Sequence, residues 1–260
     1  VRRAAFVSAS IALLAASPAF ASFPAHTDAV PSPAIDPGFP IVTSASTFSF
    51  PPQFVDLDLD GKHEIIAITD QGTMHIVGLN GVSIGGGFPR AFGAVPSGPP
   101  AVGDINRDGR PDIVVAFTSG TVRAFRADNG LVFTAKVPGV PLGGPILAEL
   151  DGSGRQCVLV ATKDGKLYAL TSTGAAAPGF PVTGPGPAVG GAFTFLAGDN
   201  HPRVGYLANP GGAAIWKQNG SPDVPYSYDP GVPLGAAMPV SGARREFGLS
   251  DLDHIYLAGK

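Results

Sequence analysis

Asp104-Ile105-Asn106-Arg107-Asp108-Gly109-Arg110-Pro111-Asp112 leads without a break into the apolar run Ile113-Val114-Val115-Ala116. Oxygen-bearing side chains stand at loop positions 1, 3, 5 and 9, and a glycine stands at position 6. Hard oxygens at alternate positions of a tight loop can converge on one Ca²⁺, and the glycine permits the turn they need. The same grammar occurs once before: Asp56-Leu57-Asp58-Leu59-Asp60-Gly61-Lys62-His63-Glu64 runs into Ile65-Ile66-Ala67-Ile68. An EF-hand is excluded, because its position 12 must be a bidentate Glu and here it is Ala67 or Val115.

Outward from these loops the chain repeats itself. Gly38-Phe39-Pro40 returns as Gly87-Phe88-Pro89 and as Gly179-Phe180-Pro181, at separations of 49 and 92 residues, the second being twice 46. The acidic loops keep the same beat, with 48 residues from Asp56 to Asp104 and 47 from Asp104 to Asp151. Each unit runs from a Gly/Pro-rich entry through a polar loop to an apolar strand, a Gly turn and a second strand. The clearest strand pairs are 65–68 with 74–77, 113–117 with 122–125, and 158–161 with 167–170, followed by 203–208 with 213–216 and 246–249 with 254–257. Turns at Asp70-Gln71-Gly72, Ser119-Gly120 and Lys163-Asp164-Gly165 join the first three pairs as hairpins.

A period in the upper forties with about four strands per unit predicts an all-β fold, a β-propeller of about five four-stranded blades over residues 38–260. The blades fall at approximately 38–86, 87–135, 136–178, 179–223 and 224–260. The last unit stops at Lys260 just after its second clear strand, so an incomplete propeller, or part of a larger one, is expected ahead of a closed ring of five. Composition agrees: 36 Gly and 27 Pro among 260 residues disfavour long helices, and a 44% hydrophobic share is too high for a disordered polymer.

The N-terminus reads as an export signal over residues 1–21. Arg2 and Arg3 precede an apolar stretch from Ala4 to Ala16, and Ala19 and Ala21 suit cleavage before Ser22. Residues 22–37, with Pro24, Pro31, Pro33 and Pro37, read as a Pro-rich linker. After removal of the signal no segment is apolar and long enough for a membrane span. The formal net charge of -3 offers no basic excess for a phosphate backbone, which excludes nucleic acid as the expected partner. One Cys excludes an intrachain disulfide, no Cys/His spacing suggests zinc, and Cys157, inside an apolar run, reads as an inert packed thiol.

The stretch Pro100 to Ala116 closely resembles the repeat of the FG-GAP and VCBS family, which is also found in the propellers of integrin α-subunits, and Asp56 to Ile68 follows the same pattern. The resemblance implies a structural Ca²⁺ inside each of two blades. The first set is Asp56, Asp58, Asp60, the Lys62 carbonyl and Glu64; the second is Asp104, Asn106, Asp108, the Arg110 carbonyl and Asp112. The third loop, Asp151-Gly152-Ser153-Gly154-Arg155, places an Arg where this pattern wants an acid, and Asp199-Asn200-His201 lacks the pattern, so both are expected to be bare turns.

No catalytic constellation is legible. The acids are committed to the two loops, and His26, His63, His75, His201 and His254 are scattered over the linker and different units. Trp216, Tyr226 and Tyr228 read as blade packing before carbohydrate contact. The expected function is that of an exported, calcium-stabilised propeller, not an enzyme, that binds an extracellular protein or glycan as an adhesion module. Asp164 to Leu170 and Gly120 to Gly130 also resemble repeats of quinoprotein-type propellers, which implies as the alternative a noncatalytic envelope scaffold or a quinone-dependent oxidoreductase. A single Trp counts against a complete quinone site.

Overall fold

The computed structural model describes residues 38–42, 46–209 and 212–223, together with the backbones of three later strands. All of them belong to the second of two compact units, Asp36–Lys260. The predicted signal and linker, and His26, Tyr226, Tyr228 and His254, lie outside the described residues. No helix occurs among the described residues.

Five antiparallel sheets follow one another along the chain, and hydrogen-bonded neighbours are always consecutive in sequence. The first holds β1 (Gln53–Val55), β2 (Glu64–Ile68), β3 (Thr73–Gly78) and β4 (Arg90–Ala91). The second holds β5 (Ala101–Gly103), β6 (Asp112–Ala116), β7 (Thr121–Arg126) and β8 (Leu131–Lys136). The third holds β9 (Ile146–Glu149), β10 (Gln156–Thr162), β11 (Lys166–Leu170) and β12 (Val182–Thr183). Three strands are described in the fourth, β13 (Phe193–Leu196), β14 (Pro202–Leu207) and β15 (Ala213–Lys217), and three in the fifth, β16 (Met238–Val240), β17 (Glu246–Ser250) and β18 (Ile255–Ala258).

The second strand of each sheet explains how the sheets associate. Along β6 every residue is buried, although a strand's side chains alternate between faces. Ile113 and Val115 pack with Ile66, Ile68 and Met74 of the first sheet, whereas Val114 and Ala116 pack with Val158 and Val160 of the third. Leu159 and Ala161 in turn meet Val204, Tyr206 and Trp216 of the fourth. Both faces of an inner sheet are therefore core, and each such Ile, Val or Leu contributes about 1.5–3 kcal/mol by leaving water. Twisted meanders that seal one another face to face make a β-propeller.

The Gly-Phe-Pro repeat has a packing origin. A Cβ on Gly38 would lie 2.1 Å from the Asn80 carbonyl oxygen, after β3, and one on Gly179, which leads into β12 of the third blade, would lie 2.0 Å from that of Asn219, after β15 of the fourth, so only glycine lets the segment dock on such a turn. The Phe-Pro peptide is cis in all three copies. The gap of 92 residues closes at Phe133 on β8: Phe88, Phe133 and Phe180 are each buried to within 7% exposure, 45 and 47 residues apart.

Candidate metal loops

Two loops, one joining β1 to β2 and the other β5 to β6, have the same bonding. The position 5 amide donates to the position 1 carboxylate, Asp60 to Asp56 and Asp108 to Asp104, at 3.1 Å in both. The position 6 glycine amide donates to the other oxygen of the same carboxylate at 2.9 Å in both. The position 7 amide donates to position 5, Lys62 to Asp60 at 2.8 Å and Arg110 to Asp108 at 3.0 Å. These N–H groups hold the Asp60 and Asp108 carboxyls below the usual carboxylate range. The turn needs a left-handed backbone at position 6, and Gly61 and Gly109 both supply φ of 86°.

Each loop is anchored from beneath. The position 2 side chains, Leu57 and Ile105, are buried in the cores between blades. Their amides donate to the position 9 carboxylates, Leu57 to Glu64 at 2.8 Å and Ile105 to Asp112 at 3.2 Å. Position 9 opens the second strand, which is why its carboxylate is carried inward: Glu64 is 5% exposed and Asp112 is 0%.

The two loops differ in how far they gather their oxygens. Asp56, Asp58 and Glu64 each offer a ligand atom within 4.8 Å of the others, which is a compact hard-oxygen set for a divalent cation. Asp60 is instead turned toward its neighbour, with Lys62 Nζ 3.3 Å from Oδ2. In the second loop Asn106 Nδ2 and the Arg126 guanidinium both reach Asp108 Oδ2, at 3.1 and 3.2 Å. Asp112 keeps one oxygen, Oδ1, buried and without a hydrogen-bond partner. Burial pushes the Asp112 carboxyl up to about 6; the Ile105 N–H opposes the rise and the charges on Asp108 and Asp104 add to it.

The third loop starts two residues earlier than expected from the sequence. Its bonding places Glu149, not Asp151, at position 1: Gly154 donates to Glu149 Oε1 at 2.8 Å as Gly109 does to Asp104. Ser153 takes the place of Asp108, Asp151 that of Asn106, and Leu150 is the buried position 2 residue. The repeat distance is thus 45 residues, which also matches Ala148↔Cys157 with Gly103↔Asp112 across the strands. Arg155 therefore stands at position 7, which contributes a carbonyl in the resembled pattern, and the missing acid is at position 9, where Cys157 stands. Burial, aided by the Asp151 charge, pushes that thiol up to about 11, so it is protonated at neutral pH.

The fourth loop is a turn closed by the Ala197 amide on the His201 carbonyl. This loop is one residue shorter than the others, and the residue that takes the place of position 9 in the strand register, paired with Phe195, is Arg203, which meets Asp199 at 2.8 Å and also Asp223. Sequence reasoning missed Glu149, Arg203 and Phe133. Counting the period from strand to strand, instead of from Asp to Asp, would have found all three.

Comparison with known proteins agrees with this architecture. The FG-GAP-like repeat model matches residues 56–115 and the FG-GAP repeat model matches residues 100–134. No sequence among the curated proteins matches the chain. Among solved structures it is similar to BBS1N in its complex with ARL6DN, soaked with lead, at a TM-score of 0.59 and 16% identity, over 84% of this chain and 67% of that one. It is also similar to BamB from Moraxella catarrhalis (TM-score 0.50, 14% identity, 80% of this chain and 60% of that one). The computationally designed Ika8 protein is a further likeness, at a TM-score of 0.54 and 13% identity, over 80% of this chain and 57% of that one. The chain spans between 57% and 67% of the length of these structures, and at such identities the likeness is one of fold. The chain is a β-propeller whose residues 56–134 carry repeats of the FG-GAP family.

Proposed function

We propose that this chain is an exported, calcium-stabilised propeller that serves as a noncatalytic binding or adhesion module for an extracellular protein or glycan. The observation that carries the calcium part is the pair of like-bonded loops, one gathering Asp56, Asp58 and Glu64 and the other holding a buried Asp112 oxygen without a partner. Their donors are all hard oxygens, the set that suits Ca²⁺ and not a soft metal. Asp56, Asp58, Asp60, Glu64 and the Lys62 carbonyl would hold one ion, and Asp104, Asn106, Asp108, Asp112 and the Arg110 carbonyl the other. Each ion would offset repulsion among carboxylates and tie a loop to its blade. The reading of export rests on the Arg2-Arg3 pair, the apolar stretch and the Ala19 and Ala21 positions. No helix among the described residues is long and apolar enough to cross a membrane.

Thermal melting in calcium and then in excess chelator tests the metal. Ca²⁺ at about 100 times its dissociation constant adds about 2.7 kcal/mol, so an unchanged midpoint would remove calcium from the account. A screen of extracellular proteins and glycans, run beside a quinone-dependent dye-reduction assay, tests the function. A stable partner without turnover supports the binding module; turnover without a partner reverses it in favour of the quinoprotein-type enzyme.

A further inference from the structure

The first two loops are alike in backbone and unlike in the cation that stands beside them. In the second, Arg126 ends β7 directly across the strands from Asp112, and its guanidinium reaches Asp108 Oδ2 at 3.2 Å. Strand pairing holds it there, because residues opposite one another in an antiparallel pair are close neighbours. The same place in the first blade, opposite Glu64, is filled by Gly78, which has no side chain. The cation that reaches the first loop is Lys62, a residue of the loop itself, with a side chain 79% exposed and Nζ 3.3 Å from Asp60 Oδ2. A hydrated ammonium on a flexible stem gives up an oxygen more readily than a guanidinium carried by a strand.

The ligand sets differ in the same direction. The first has four carboxylates, whereas the second has three, with the amide of Asn106 at position 3. Asp56, Asp58 and Glu64 bring their oxygens within 4.8 Å of one another, and among the described residues the acids of the second loop form no such group. The second loop is marked as a cation site by Asp112 instead. That side chain is fully buried, and its Oδ1 meets no hydrogen-bond partner. An oxygen so placed is costly until a cation or a donor meets it.

We propose that Arg126 is the built-in counter-ion of the second loop: it holds Asp108 in the absence of calcium, yields it when calcium enters, and so sets the affinity of this loop below that of the first. The inference rests on the calcium reading of both loops and adds an order of filling. A Ca²⁺ entering the first loop displaces only the solvated Lys62 ammonium and meets four carboxylates. One entering the second loop meets three, breaks the Arg126–Asp108 pair, and then stays beside a positive charge fixed on β7. Like charges a few ångströms apart near a protein surface repel strongly enough to weaken a binding constant about tenfold. The displaced guanidinium still has a carboxylate to turn to, since Asp128 lines the same groove between the first and second blades. At calcium concentrations between the two constants the first loop holds an ion and the second is closed by Arg126, so the second blade alone responds to a change in calcium.

Isothermal titration of the full chain, stripped with chelator and titrated with Ca²⁺ alone, reads the two constants. The wild type should show two classes of site about tenfold or more apart. Glu64→Gln, which keeps an oxygen for the Leu57 amide, should remove the tight class, and Asp112→Asn, which keeps one for the Ile105 amide, the weak class. Arg126→Gln should tighten the weak class about tenfold and leave the tight class unchanged, a gain that a damaged fold cannot produce. Arg123→Gln, on the same strand with its guanidinium over the Phe117 ring, removes an equal charge and should change neither class. The assignment of Arg126 is overturned, with calcium binding intact, by two equal classes, by a tight class that belongs to the second loop, by a weak class that Arg126→Gln leaves unchanged or loosens, or by an equal gain from Arg123→Gln. No bound calcium in the wild type at about 10 mM, above the range of extracellular calcium modules, overturns it together with the calcium reading.

Discussion

Arg203 holds in the fourth blade the place that Asp112 holds in the second. Asp112 is paired with Gly103 and Arg203 with Phe195, as the first and the second residue of the second strand of their blades, and both are buried, at 0% and 5% exposure. Glu64 and Cys157 fill the same place in the first and third blades. Along the chain the position passes from carboxylate to carboxylate to neutral thiol to guanidinium. A carboxylate carried into low dielectric requires a cation or hydrogen bonds, a thiol requires neither, and a guanidinium requires anions. The fourth blade therefore builds its own positive charge into the protein and supplies Asp199 and Asp223 to meet it.

Replacing Arg203 by Met should remove the guanidinium from both carboxylates while retaining much of the apolar stem. Asp199 is half exposed and can rehydrate, but Asp223, with 14% of its side chain exposed, would be left without its cation, and removal of one partner of a desolvated pair costs more than the pair's net contribution. A loss of about 2–4 kcal/mol is expected, read from urea midpoints at unchanged slope. A loss below about 0.5 kcal/mol would mean that the cluster is no more than a surface ion pair.

Asp199 carries the pH dependence of that cluster. The Arg203 guanidinium, aided by the His201 amide, holds its carboxyl down to about 2, against an ordinary value of 3.8. A folded value below the unfolded one stabilises the fold above the unfolded pKa, and the contribution disappears as pH falls through the folded pKa. The melting-temperature gap between the wild type and Asp199→Asn should therefore be full at about pH 5 and close between about pH 4 and pH 2. A gap that persists at about pH 2 would show that the charge on Asp199 does not matter.

The two complete loops were legible in the sequence because their pattern is local: alternate oxygens, one glycine and a following strand need no distant partner. The third loop was not, since Glu149 reaches the Gly154 amide with a longer side chain and so does the work of an Asp two residues earlier than Asp151. Phe133 was hidden for a related reason. Its flanks are Val132 and Thr134, because the segment lies within a full strand, β8, where the other copies have a Gly-Phe-Pro turn.

Asp112→Asn separates calcium from folding. Asn keeps an oxygen that can accept from the Ile105 amide and removes a charge that burial disfavours. In chelator at neutral pH the variant should be as stable as the wild type, or more stable by about 1 kcal/mol. In calcium the order should invert, because only the wild type gains the full mass-action term from the ion at this loop. Differential scanning calorimetry of both proteins in both conditions gives the four midpoints, and the same ranking in chelator and calcium would show that Asp112 is not a ligand.

Tyr206 tests how far neighbouring blades depend on one another. The ring is fully buried and lies 5.6 Å from that of Trp216, and its hydroxyl donates across the blade boundary to the Gly165 carbonyl in the β10–β11 turn at 2.5 Å, with the Gly186 carbonyl at 3.3 Å. Tyr206→Phe retains the apolar contacts but leaves those carbonyls without this donor, which should cost about 1–2 kcal/mol. The loss should appear in the third blade as well as the fourth, because Gly165 belongs to the third. Hydrogen exchange of the Gly165 and Gly184 amides, which close that turn onto Thr162 and Gly165, provides the measurement. Faster exchange at both would show that the hydroxyl couples the blades; loss of protection confined to β14 and β15 would show that the third blade closes its turn without help.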